Sequence, residues 1–296
     1  MPSFEGSYTV LVTPFTEDGA GVDASALRGL VDWQIDQGVP GLIPLGSTGE
    51  FLSVTDDERT LIIETVVDQA KRRVPIVVGT ANEWCDVAVR YSREAERLGA
   101  DGVMVIQPYY SSPTEDELFE HYRRISDAIS IPIMLYNNPR TANVDLRPAF
   151  VARLAELDNV RYIKEASGDQ SRVREIHRHV GEDRMVVFSR YDAWMLGARG
   201  WVSVCGNIVP DLSAEAYRQT VTLGNPAAGR EIYHRLYPLL DAIDGDLYVS
   251  ATKAALALIG RPVGPPRMPR LPLPEASVAA LRRVLADLGV LAEKAA

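Results

Sequence analysis

The sequence predicts a (β/α)8 barrel with a C-terminal helical extension. Two observations carry that prediction. Eight short apolar, β-branched runs recur along the 296-residue chain, and the segments between them space their apolar residues as amphipathic helices do. Near-continuous hydrophobic strands alternating with such helices at intervals of roughly 25 to 30 residues mark parallel βαβ units, whose helices cover the strands. A third observation is the tail, which holds helical patterns and one proline-rich stretch but no further strand.

In order, the strand candidates are "SYTVLV" (7–12), "GLIPLG" (41–46), "PIVVGT" (75–80), "GVMVIQ" (102–107), "IPIMLYN" (131–137), "VRYIK" (160–164), "MVVFS" (185–189) and "WVSVCG" (201–206). Helices are predicted over 23–38, opened by an Asp N-cap and closed at Gly38, and over 55–73, where Thr55 and Glu58 have capping-box spacing. Residues 86–100 and 146–158 read similarly. Only "RYDAWMLGARG" separates the last two strands, so its helix must be short. "DLSAEAYRQTVTLG" closes the barrel, giving an expected barrel domain over 1–224 and a helical extension over 225–296. Within the extension "RPVGPPRMPRLPLP" (261–274) reads as a linker, because proline breaks helices.

Composition narrows the function classes. A net charge of −9, with no Lys/Arg-rich run carrying interleaved aromatics, argues against a nucleic-acid partner. No window approaches 18 uninterrupted apolar residues, and "MPSFEGSYTVLVTPF" has neither a basic n-region nor an apolar core, so no membrane association and a cytoplasmic location are expected. Cys85 and Cys205 have no metal-type spacing and read as reduced, buried small hydrophobes.

In such barrels the working residues lie at the C-terminal ends of the strands and in the loops that follow. Among those ends, "RYIKEASGD" (161–169) places Lys164 at the close of an apolar run, with Glu165 beside it. The chain has four lysines, and Lys71, Lys253 and Lys294 fall on predicted helices. A lysine differs from an arginine in that it can lose its proton. Desolvation at a barrel mouth can lower a lysine's pKa from about 10.4 toward about 7 to 8, generating the neutral amine that attacks carbonyls. The plain alternative is a snorkelling lysine, or one ion-paired with Glu165. The loop "GSTGE" (46–50) offers Ser47, Thr48 and backbone N–H groups to a carboxylate or phosphate, although small residues also make ordinary turns. Tyr110 and Tyr136 end strands four and five. Each is either half-buried packing or a proton carrier beside a lysine-bound carbinolamine.

Taken together, "LVTPF" (11–15), "GSTGE" (46–50), "ADGVMVIQPYY" (100–110), "YNNP" (136–139), "YIKEASGD" (162–169) and "GPPRMPRLPL" (264–273) resemble the dihydrodipicolinate synthase / N-acetylneuraminate lyase family, in family order and over essentially the whole chain. The resemblance implies a class I, Schiff-base aldolase-type enzyme acting on pyruvate or another 2-oxo acid, with Lys164 forming the imine and no metal or redox cofactor. It implies Tyr136 as proton shuttle, Ser47 and Thr48 as holders of the substrate carboxylate, and Tyr110 as the tyrosine that reaches a neighbouring subunit's active site. At least a dimer, and commonly a homotetramer built as a dimer of dimers, follows from that last role.

Two departures from the family pattern bear on the substrate. Synthase members carry arginine where this chain has Thr141, and Arg140 comes one residue early. After strand seven, Arg190 in "SRYD" (189–192) replaces a glycine. Either Arg190 pairs outward, or one of Arg190 and Arg140 recognises a distal carboxylate or polyol. Ile208, in "GNI" (206–208), belongs to the loop that shapes the same pocket. The open functional alternatives are 4-hydroxy-tetrahydrodipicolinate synthase using aspartate semialdehyde, a 2-keto-3-deoxy sugar acid aldolase or dehydratase, and a catalytically idle small-acid sensor. A metal-dependent aldolase wants convergent imidazoles, yet His121, His177, His179 and His234 all lie on predicted helices. Neither the seventh nor the eighth strand loop has the glycine richness of a phosphate-handling barrel.

Overall fold

A computed structural model describes residues 4–292. Eight parallel strands follow the order β2-β1-β8-β7-β6-β5-β4-β3, the cyclic succession of a (β/α)8 barrel, and further helices follow at the C-terminal end. They are β1 (Gly6–Val10), β2 (Leu42–Ile43), β3 (Val77–Gly79), β4 (Gly102–Ile106), β5 (Ile133–Asn137), β6 (Val160–Glu165), β7 (Val186–Phe188) and β8 (Gly200–Ser203). All eight expected strands form, most of them shorter than their apolar runs. The eighth ends early because Cys205–Asn207 turns into a short 3-10 helix.

The chain divides into two compact units, one running through Gly6 together with Pro75–Val202, the other Ser7–Val74 together with Ser203 onward. In the first, β3 to β8 alternate with α3 (Cys85–Arg97), α4 (Glu115–Ser126), α5 (Pro148–Leu154) and α6 (Ser171–Val180). Helix α3 buries Ala88, Tyr91, Ser92 and Ala95, and α4 buries Leu118, His121, Tyr122 and Ile125. Each set repeats at i, i+3, i+4 and i+7, the stripe an amphipathic helix turns to a core. A capping box between Thr114 and Glu117 starts α4. The expected 146–158 helix begins instead at Pro148, which fits the first turn because its missing N–H would have no partner there, and it ends at Leu154. Between β7 and β8 the short connection is a 3-10 helix, Tyr191–Leu196. Gly200 is required at the start of β8, since a Cβ there would stand 2.3 Å from the Phe188 ring.

Register matters most in this unit. Ile106 is paired with Tyr136, Tyr136 with Lys164, and Lys164 with Phe188. Four adjacent strands therefore present one level row. One residue further on, Asn137 is paired with Glu165, and alternation sends that pair to the opposite face.

The second unit holds β1, β2, α1 (Ala24–Asp36), α2 (Asp56–Ala70), α7 (Pro210–Tyr217), a π-helical turn at Arg218–Thr222, α8 (Pro226–Ala242), α9 (Tyr248–Leu258) and α10 (Glu275–Asp287). Both expected caps are present: the Asp23 side chain accepts from Ala26 N–H, and Thr55 and Glu58 close a capping box. Residues 261–274 form neither helix nor strand, as the prolines dictate, but they are not slack. Phe15 N–H donates to Val263 O at 3.0 Å, and the Ser250 hydroxyl donates to Leu271 O at 2.7 Å. Arg267 donates to Gly19 O, Ser53 O, Ala20 O and the Glu58 carboxylate. The stretch expected to link is a strap fixed along its length.

Candidate active site

Lys164 ends its apolar run half-buried, one residue before the strand stops. Its Nζ stands 3.9 Å from the centroid of the Tyr136 ring on the neighbouring strand. That contact, worth roughly 0.5–2 kcal/mol for an ammonium over an aromatic face, sets the amine beside the phenol that the family resemblance implies as its proton shuttle. Tyr136 is 6% exposed, and its hydroxyl oxygen accepts a hydrogen bond from Asn138 Nδ2 at 3.1 Å.

Glu165 is not the counter-ion of Lys164. Its side chain points to the other face of β6, where it accepts from Asn137 Nδ2 at 2.9 Å and from Ser167 N–H at 2.7 Å. Burial pushes the Glu165 carboxyl above its ordinary pKa, against the pull of those hydrogen bonds. Asn137 also donates to Asp145, which receives both terminal nitrogens of Arg172 at 2.6 Å. The hydrogen bond to Arg172 holds Asp145 below the usual carboxylate range. This network braces the β5 and β6 ends from behind. Sequence reasoning missed Asn137, Asp145 and Arg172, which the fold brings together from the end of β5, the loop after it and α6.

Tyr110 is not brought to Lys164 and Tyr136 in this chain: its ring is 86% exposed. Its backbone is held firmly. Glu83 accepts the N–H groups of Tyr109, Tyr110 and Ser111, and Asn143 Nδ2 donates to Tyr110 O at 2.6 Å. Arg140, Thr141 and Arg190 lie exposed on the loops after β5 and β7. Thr141 is turned onto its own loop, its hydroxyl donating to Asn138 O at 3.3 Å. Among the described residues neither guanidinium has a carboxylate partner.

In the second unit, Ser47–Gly49 forms a 3-10 turn flanked by Leu45 (φ 59°) and Glu50 (φ 54°), a left-handed conformation uncommon for residues with a Cβ. Thr48 is buried and Ser47 half-buried. The Thr13 hydroxyl donates to Gly49 O at 2.6 Å. Glu50, buried, faces the Lys253 ammonium at 2.8 Å. Ile208 is buried at the end of its turn, next to Asn207, which accepts from Val12 N–H and donates to Val10 O and Val204 O. Thr13, Glu50 and Lys253 were not singled out in advance. Lys71 caps α2 in the left-handed conformation, and Lys294 lies outside the described residues.

His121 lies on α4, His177 and His179 on α6, and His234 on α8. Among the described residues no group of three or more His, Cys, Asp or Glu side chains is placed to hold a metal. Cys205 is buried, its thiol pushed up to about 11 by desolvation, whereas Cys85 is only half-buried, contrary to expectation. Both thiols are free. No helix among the described residues is long and apolar enough to cross a membrane.

The profile of the Dihydrodipicolinate synthetase family matches residues 3–288. A 4-hydroxy-tetrahydrodipicolinate synthase from Nitrobacter hamburgensis is 38% identical over 293 residues, covering 97% of this chain and 98% of that protein. The chloride-inhibited dihydrodipicolinate synthase from Acinetobacter baumannii, solved with pyruvate, superposes with a TM-score of 0.94 at 32% identity, over 98% of this chain and all of that one. YagE, an E. coli K12 prophage protein of the same family also solved with pyruvate, gives a TM-score of 0.92 at 31% identity, over 97% of this chain and 99% of that one. Full-length agreement in sequence and in fold makes this chain a member of the dihydrodipicolinate synthetase family of class I, Schiff-base aldolases, enzymes acting on 2-oxo acids.

Proposed function

We propose that the protein condenses pyruvate with aspartate semialdehyde as a 4-hydroxy-tetrahydrodipicolinate synthase, through an imine on Lys164. The observation that carries the imine is the Lys164 amine resting on the Tyr136 ring while the adjacent carboxylate is engaged elsewhere. The choice of synthase rests on relatives of that name matched across 97% of this chain.

In this reading the neutral Lys164 Nζ adds to C2 of the 2-oxo acid. Tyr136 passes a proton to the carbonyl oxygen, water leaves, and a C=N bond forms. The protonated imine withdraws electrons from C3, whose proton departs to give an enamine. The enamine carbon then attacks the aldehyde, and the amino group of that second substrate adds to C2 and displaces the lysine amine, closing the ring as a cyclic imine with the loss of one water overall. Ser47 and Thr48, with their backbone amides, hold the carboxylate. Tyr110 completes the proton relay from a neighbouring subunit of a homotetramer, and Ile208 shapes the pocket. A cytoplasmic location belongs to the same proposal.

Incubation with pyruvate and aspartate semialdehyde, followed by product identification, tests the substrate; turnover at a rate typical of enzymes is expected. A second reading, a 2-keto-3-deoxy sugar acid aldolase or dehydratase, is favoured by one feature. The arginine of the synthase pattern is displaced to Arg140, Thr141 is turned back onto Asn138, and Arg190 is added. Turnover of sugar-acid-derived 2-oxo acids without turnover of aspartate semialdehyde selects it. Absence of any adduct with 2-oxo acids selects the idle sensor.

A further inference from the structure

Lys253 is the second lysine that does not serve as surface charge. It sits on α9, 3% exposed, with Nζ 2.8 Å from Glu50 Oε1, 3.0 Å from Pro265 O and 4.2 Å from the centroid of the Phe15 ring. The contact with Glu50 is a close ion pair; the directed hydrogen bond of the ammonium goes to Pro265 O. Glu50 Oε2 accepts the Arg267 N–H at 2.9 Å, and the Arg267 guanidinium stacks on the same Phe15 ring at 4.1 Å. Burial lowers the Lys253 pKa, while the Glu50 charge opposes that shift. Buried ion pairs of this kind are weak evidence for stability, because desolvation offsets their attraction. Their better-attested use is to specify one arrangement.

The arrangement specified here is local. Glu50 directly follows Gly49 and ends the Ser47–Gly49 turn in the left-handed region. Its backbone N–H donates to Ser47 O at 3.2 Å, while Gly49 O receives the Thr13 hydroxyl. The turn is thus held through its last two residues. On one side stands a β1-proximal threonine, and on the other a lysine some two hundred positions later in the sequence.

We propose that Lys253 is a positioning residue for the 2-oxo acid carboxylate: by holding the Glu50 side chain it fixes the turn whose Ser47 and Thr48 groups receive that carboxylate. The inference rests on the reading that Ser47 and Thr48 bind the carboxylate. It assigns the C-terminal helices a part in substrate affinity that neither the imine chemistry nor the barrel requires.

The experiment compares Lys253→Met and Glu50→Gln with the unmodified enzyme in steady-state kinetics with both substrates, alongside thermal unfolding. Lys253→Met is expected to raise KM for pyruvate about tenfold or more, the effect of a binding turn displaced by a fraction of an ångström. The KM for the aldehyde and kcat should each stay within about threefold, since the turn is not asked to stabilise the later transition state. Glu50→Gln keeps the shape and an acceptor for Arg267 N–H, so it is expected to fold and shift the same KM in the same direction; it is the decisive variant where Lys253→Met does not fold. A lowered melting temperature with an unchanged KM for pyruvate, or equal changes in both KM values, overturns the proposal. Borohydride reduction of the unmodified enzyme with pyruvate separates the two levels. An adduct on Lys164 with an unmoved KM in the variants sinks only the positioning role, and no adduct sinks the reading beneath it.

Discussion

At the scale of the residue, the phenol and the amine make separable contributions. Tyr136→Phe keeps the ring under the Lys164 ammonium and removes the hydroxyl to which Asn138 Nδ2 donates. It should lower kcat by roughly 10²- to 10⁴-fold, the usual share of general acid–base catalysis, while melting within a few degrees of the parent. Steady-state rates and a thermal scan check both halves of that expectation. The place of Lys164 at a strand end was legible in the sequence, where it closes an apolar run in a chain with few lysines. Lys253 was not legible. A lysine on a helix is ordinarily solvated, and only the fold brings Glu50, Phe15 and Pro265 around this one. Asn137, Asp145 and Arg172 were hidden for the same reason: register pairs Asn137 with Glu165, and the loop after β5 and helix α6 bring Asp145 and Arg172 to it, none of which has a local signal.

Elements were readable wherever the physics is local. The Thr55/Glu58 capping box follows from spacing alone, and Thr55→Ala should cost about 1 kcal/mol in a urea-unfolding series. Non-local constraints defeated the reading at the strap. Its prolines exclude helix and strand, but the sequence does not reveal that Arg267 reaches Gly19, Ser53, Ala20 and Glu58. Helix α4 carries a pH dependence of its own. Desolvation lowers the His121 pKa to about 4, with Glu83 opposing and Arg124 reinforcing the shift. In the unfolded chain this imidazole takes up its proton near about pH 6.5. Between those values the unfolded state binds the extra proton, so stability is full above about pH 6.5 and falls as the pH drops toward 4. The loss is up to about 3 kcal/mol, from roughly 1.36 kcal/mol per pH unit. Urea unfolding from pH 7 to 4 should show that slope, and His121→Gln should flatten it; equal slopes in both proteins would assign the acid sensitivity elsewhere.

For the molecule as a whole, the exposed aromatics argue for a companion chain. Tyr110 is 86% and Trp84 64% exposed, yet the Tyr109–Ser111 backbone is clamped by Glu83. A rigid loop presenting a bare tyrosine fits a residue used by another subunit. Light scattering should give at least twice the chain mass. An inactive Lys164→Ala chain mixed with a Tyr110→Phe chain should regain activity, because mixed assemblies restore one complete site; no recovery under subunit exchange would return Tyr110 to its own chain. The central claim is covalent, and its most direct measurement is borohydride reduction with pyruvate followed by peptide mass mapping. The account predicts one reduced adduct per chain, on Lys164, and none in Lys164→Ala; an adduct on any other lysine, or full turnover by Lys164→Ala, would contradict it.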